Sequence, residues 1–72
     1  MSAEVLSPLP GLVATVHVNA GDAVSSGDPV VTLQSMKMEI PVMAPRAGTV
    51  KTVLVEEKQQ VAEGQPLVIL QF

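Results

Sequence analysis

Apolar residues fall in short runs, each closed by Pro or Gly. Leu12–Val18, Val30–Gln34, Glu39–Met43, Thr49–Val55 and Leu67–Gln71 have strand length and are rich in Val, Ile and Thr, and Ala3–Leu6 makes a short first strand. Within Leu12–Val18, Val16 and Val18 keep a period of two while Val13 is out of phase. Val50, Val53 and Val55 break phase in the same way, which predicts a bulge or sharp bend in both segments.

The shared irregularity belongs to an internal repeat. Residues 8–34 match residues 45–71 at a constant offset of 37, with 12 identities in 27 positions. Pro8, Gly11, Val13, Val24, Gly27, Pro29 and Leu33 return as Pro45, Gly48, Val50, Val61, Gly64, Pro66 and Leu70. Because Gly and Pro carry special backbone needs, their coincidence predicts a shared chain path and two half-domains about a pseudo-twofold axis. A helix is open only to Val30–Ile40, which lacks internal Pro and Gly and could align Leu33, Met36 and Ile40. The β-branched run Val30-Val31-Thr32 and the strand-like repeat partner Leu67–Gln71 argue for a strand instead. The expected fold is all-β: two four-stranded antiparallel sheets, or one flattened barrel, with Gly21-Asp22 and Gly27-Asp28 in turns. By symmetry, Val16 and Val53 are expected as equivalent core positions, and Gly11 with Gly48 as equivalent backbone turns.

Seventy-two residues make one domain, 1–72. Hydrophobic residues are 47% and charged residues 15%, too apolar for a disordered tail. There is no Cys, which removes disulfides and thiolate metal sites and fits a reducing compartment. The single His17 leaves no His-rich metal site, and on its strand it has no evident partner for general-base work. Net charge is −3 with Lys37, Arg46, Lys51 and Lys58 scattered, so no basic patch is offered to nucleic acid. The longest apolar run, Leu67-Val68-Ile69-Leu70, is too short to span a bilayer, and Met1-Ser2-Ala3-Glu4 lacks the basic start of a signal peptide. Neither nucleic acid nor membrane is expected as a partner, and a cytoplasmic location is the default. Glu56-Glu57 beside Lys58 reads as a solvated turn, and Asp22 and Asp28 as turn formers.

Candidate chemistry concentrates between the two repeats. Gln34-Ser35-Met36-Lys37-Met38-Glu39 is a polar insert between Leu33 and Ile40 and reads as a hairpin over residues 35–39 with Lys37 at its tip. A lysine at such a tip is ordinarily solvated surface. Two flanking methionines are not, because exposed Met gains nothing in water unless it packs back on the barrel or a partner reads it.

These residues resemble the biotinyl (biotin/lipoyl attachment) domains. Ser35-Met36-Lys37-Met38-Glu39-Ile40-Pro41 is similar to the family's attachment motif, Ser7-Pro8-Leu9-Pro10-Gly11 to its entry and Ala44-Pro45-Arg46-Ala47-Gly48 to its return. The resemblance covers the whole chain and looks closest to the short free-standing attachment proteins and biotin carboxyl carrier domains. It departs at Gln34, commonly acidic, and at Glu57-Lys58-Gln59, which lacks the usual Gly. No protruding insertion stands between Val13 and Gly21, so the resemblance implies a loosely held prosthetic group.

The resemblance implies that Lys37 is biotinylated by a biotin protein ligase, with Ser35, Met36, Met38 and Glu39 forming the motif the ligase reads. It implies a non-catalytic carrier whose biotin moves a carboxyl group between biotin carboxylase and carboxyltransferase partners. Lipoate is the alternative cofactor, although the lipoyl-accepting lysine usually has acidic and small neighbours, unlike Met36 and Met38. An unmodified β interaction module, docking through its Met36-Lys37-Met38 tip, is the alternative from another class.

Overall fold

A computed structural model describes residues 1–72. The chain is all-β: β1 (Ser2–Leu6), β2 (Gly11–Val16), β3 (Ala23–Val24), β4 (Pro29–Ser35), β5 (Met38–Met43), β6 (Gly48–Val53), β7 (Gln60–Val61) and β8 (Pro66–Gln71). They form two antiparallel four-stranded sheets, ordered β1-β8-β6-β3 and β5-β4-β2-β7. The expected Leu12–Val18 and Thr49–Val55 begin one residue earlier and end two residues sooner.

Each pairing in one sheet recurs in the other 37 residues on. Leu12 faces Gln34 and Thr49 faces Gln71; Gly11 faces Val61 and Gly48 faces Val24. In β2 the register jumps from Val13–Leu33 to Thr15–Thr32, and in β6 from Val50–Leu70 to Thr52–Ile69. Ala14 and Lys51 are therefore the extra residues of two equivalent bulges, which is why the valines fall out of phase around them.

The core obeys the same symmetry. Sixteen residues are buried, and they make eight pairs at the offset: Val5 with Val42, Ser7 with Ala44, Val13 with Val50, Val18 with Val55, Val24 with Val61, Val30 with Leu67, Val31 with Val68, and Leu33 with Leu70. The first two pairs carry the repeat beyond residues 8–34, into β1 and β5. β1 pairs with β8, and β5 with β4, in matching registers: Val5 faces Val68 as Val42 faces Val31. Residues 1–35 thus correspond to 38–72, and Met36-Lys37 alone lie outside the repeat. Val16 and Val53 are equivalent, but both are only partly buried against the core rather than inside it.

Side chains fix the turns in both halves. Asp22 accepts from the Asn19 N–H at 2.8 Å and Asp28 from the Ser25 N–H at 2.9 Å. Gln59 and Gln65 take these places in the second half, accepting from Glu56 and Ala62. Each acceptor satisfies a loop amide that would otherwise lack a partner. Gly27 and Gly64 have φ of 89° and 82°, the left-handed backbone expected of a glycine turn. Gly11 and Gly48 do not share it, contrary to the expectation of equivalent backbone turns. They open β2 and β6, where a Cβ would lie 3.0 Å from the Gln34 carbonyl oxygen and 2.8 Å from that of Gln71. Close backbone approach, not positive φ, requires glycine there.

Candidate functional site

β4 and β5 form a hairpin whose last pair is Ser35–Met38, leaving Met36 and Lys37 as a two-residue turn. Their φ angles are 49° and 69°. Two positive φ values in succession mark a type I′ connection, whose twist matches that of the flanking strands and which normally takes Asn-Gly. A residue with a Cβ pays on the order of 1–2 kcal/mol for left-handed backbone, so the hairpin keeps Met-Lys at a cost in stability. Strained backbone of this kind clusters at functional sites, and the chain has it at one other non-glycine residue, Lys58. β4 is held on its other side by β2, so the tip rises from an interior strand and an edge strand that share the barrel core.

The tip presents its side chains to solvent. Met36 is 92% exposed and Met38 63%, and Lys37 and Glu39 are exposed as well. None of the chain's side-chain hydrogen bonds involves residues 34–43, so the Lys37 amine is not engaged by a neighbour. Ser35 is half-buried at the hairpin base, and Glu39 faces Gln34 across the strand pair. An acid at position 34 would oppose Glu39 directly, a like-charge pair that Gln34 avoids. The hairpin brings all five motif residues, Ser35 to Glu39, onto one protrusion. Sequence reasoning missed the left-handed backbone of Met36 and Lys37, because Met-Lys carries none of the Asn-Gly signal for such a turn.

The other residues singled out in the sequence lie elsewhere. His17 is exposed on the outer side of the β4-β2 sheet, its Nε2 2.6 Å from Thr32 Oγ1. Glu56, Glu57 and Lys58 form the exposed turn before β7, where Lys58 has φ of 73°. No group of three or more His, Cys, Asp or Glu side chains converges to hold a metal, and the surface carries no pocket.

The layout holds one exposed amine at the protruding tip of a hairpin built on the barrel core. The family model described as "Biotin-requiring enzyme", of the biotin/lipoyl attachment type, matches residues 3–70. The chain therefore belongs to the biotin/lipoyl attachment family. It is 50% identical over 42 residues to "Biotinylated protein TB7.3" of Mycobacterium tuberculosis, a match covering 58% of this chain and 59% of that one. It is 46% identical over 39 residues to the mitochondrial propionyl-CoA carboxylase alpha chain of Caenorhabditis elegans, covering 54% of this chain and 5% of that protein. Among solved structures, a single-chain, multi-domain long-chain acyl-CoA carboxylase superposes with TM-score 0.90 at 32% identity, covering 94% of this chain and 7% of the larger one. The chain thus spans a small part of the carboxylases it matches.

Proposed function

We propose that the domain is a biotin carboxyl carrier and that Lys37 is its attachment residue. The observation that carries this is the type I′ tip, which places the lysine, with Met36 and Met38 beside it, at the one point where the repeat is interrupted. The residues fit the group: an exposed, unengaged amine on a stiff hairpin can enter a ligase site without unfolding the barrel. Attachment requires the neutral amine, so the ligase must remove the ammonium proton that water favours. Lys37 Nζ would then be the acyl acceptor, forming an amide with the activated carboxyl group of biotin as the activating group leaves.

Once bound, biotin supplies a ureido nitrogen that accepts and gives up a carboxyl group. The chain contributes the tether and the point from which it swings, which raises the local concentration of the group at each partner site. The partners are a biotin protein ligase, a biotin carboxylase and a carboxyltransferase. The carboxylase names among the relatives support the last two, and the Met-Lys-Met tip supports the ligase and biotin over lipoate. Ser35, Met36, Met38 and Glu39 are the surface the ligase reads.

Co-expression of the chain and its Lys37→Arg variant with a biotin ligase and free biotin tests this. The wild-type domain binds streptavidin and the variant, whose guanidinium is no acyl acceptor, folds but does not bind. Streptavidin binding by the variant moves the site elsewhere.

A further inference from the structure

Sulfur in this chain is confined to the surface. Methionine supplies all of it, since there is no cysteine, and none of the four methionines joins the fifteen-residue core, which is Val and Leu with one Ala. Met1 and Met36 are almost fully exposed, Met38 is 63% exposed and Met43 52%. Methionine ordinarily fills gaps in cores, yet every methionine here is at the surface. Three of the four lie on the β4-β5 hairpin, and two of these are the chain neighbours of Lys37. The repeat shows that the fold does not ask for sulfur at these places: Met43 corresponds to Leu6, and Met36 lies outside the repeat altogether.

At an exposed position methionine differs from leucine chiefly in its thioether, which oxidises to a sulfoxide and is returned by reductases, one for each sulfoxide epimer. Hydrogen peroxide suffices for the forward step. One peroxide oxygen passes to the sulfur, the S–O bond forming as the O–O bond breaks, and water leaves; sulfur gives up two electrons and the peroxide takes them. The product carries a polar, accepting oxygen where the surface was apolar. The fold is indifferent to that change at Met36 and Met38, because neither side chain belongs to the core or packs against it. A partner that buries these side chains is not indifferent, since a sulfoxide oxygen buried without a donor carries the desolvation cost of any orphaned acceptor. The same oxygen can accept from the Lys37 ammonium, which no side chain of the domain engages.

We propose that Met36 and Met38 form a reversible oxidation site: conversion of their thioethers to sulfoxides by peroxide closes Lys37 to the ligase, and reduction reopens it. Loading of the domain thereby follows the peroxide level around it while the barrel stays folded. The inference rests on Lys37 being the acceptor and on the ligase reading the two methionines.

The unmodified full chain is treated with hydrogen peroxide, desalted, and given biotin and limiting biotin ligase. Intact mass counts the added oxygens and peptide mapping places them. Untreated chain serves as the control; if it takes no biotin on Lys37, the attachment reading has failed, an outcome distinct from failure of the oxidation site. Expected are oxygens on Met36 and Met38, an unchanged unfolding midpoint, and biotinylation slowed roughly tenfold or more. Treatment with the two sulfoxide reductases restores the rate. In Met36→Leu/Met38→Leu, which keeps Met1 and Met43, the rate is the same before and after peroxide, whatever its starting value. The proposal is overturned by a chain fully oxidised at Met36 and Met38 that is biotinylated at the control rate, by a double variant that peroxide slows as much as the wild type, or by Met36 and Met38 staying reduced while Met1 and Met43 oxidise.

Discussion

Lys58 stands 37 residues after Gly21 and holds the same left-handed backbone, with φ of 73° against 97°. The backbone bonds around them are equivalent as well. The Gly21 N–H donates to the Val50 carbonyl at 2.8 Å and the Lys58 N–H to the Val13 carbonyl at 2.7 Å. The second turn therefore follows a glycine path with a lysine in it. Lys58→Gly removes that strain and stabilises the domain by about 0.5–1 kcal/mol, after the entropy glycine loses on folding. At this size that is a rise of several degrees in midpoint, roughly 4–8 °C per kcal/mol. An unchanged or lower midpoint for the variant would show that the turn carries no strain.

The symmetry of the core makes a quantitative demand. Val13 and Val50 are fully buried on equivalent strands, so Val→Ala at either costs a similar amount, roughly 1–3 kcal/mol for lost burial and the cavity left. Val16 and Val53 lie at the core's margin and should cost less than Val13 and Val50, and equally little as each other. Urea unfolding of the four variants checks both statements. Unequal losses within a pair would break the two-half account.

Gly48 and Gly11 are equivalent but not equally constrained. An added methyl at Gly48 meets both the Gln71 oxygen and the Phe72 ring at 2.8 Å, whereas at Gly11 its nearest neighbour is the Gln34 oxygen at 3.0 Å. Gly48→Ala should thus destabilise more than Gly11→Ala. Adding Phe72→Ala to Gly48→Ala should recover part of the difference, a coupling that a double-mutant cycle reads directly. Additive losses would mean that the ring does not occupy the Gly48 cradle.

Met36 and Met38 project into solvent, so changing both to Leu alters stability by less than about 1 kcal/mol. If they are read by the ligase, the same variant is biotinylated more slowly at limiting ligase. A large loss of stability would place them in the core; an unchanged rate of biotinylation would remove them from the recognition surface.

Much of this was legible in the chain because repetition exposes irregularity. A single out-of-phase valine is noise; Val13 and Val50 out of phase together mark bulges at Ala14 and Lys51. Other features were not legible. β3 and β7 are two residues each, too short for any periodicity. The repeat's extension into β1 and β5 was hidden because Ala3 and Ile40, or Glu4 and Pro41, share a burial class and not a residue type. Gly11 and Gly48 looked like turn glycines, since sequence cannot separate a need for positive φ from a need for close approach. The lysine's position between the repeats was plain. Its left-handed backbone was not, because nothing in Met36-Lys37 favours the turn it makes.

The attachment reading rests on one residue, and peptide mapping of the protein after co-expression with biotin ligase tests it most directly. The account predicts a single biotin per chain, found on the peptide containing Lys37, with Lys51 and Lys58 unmodified. Biotin on either of those lysines, lipoate in its place on Lys37, or a chain that stays unmodified while the ligase labels a control acceptor would contradict it.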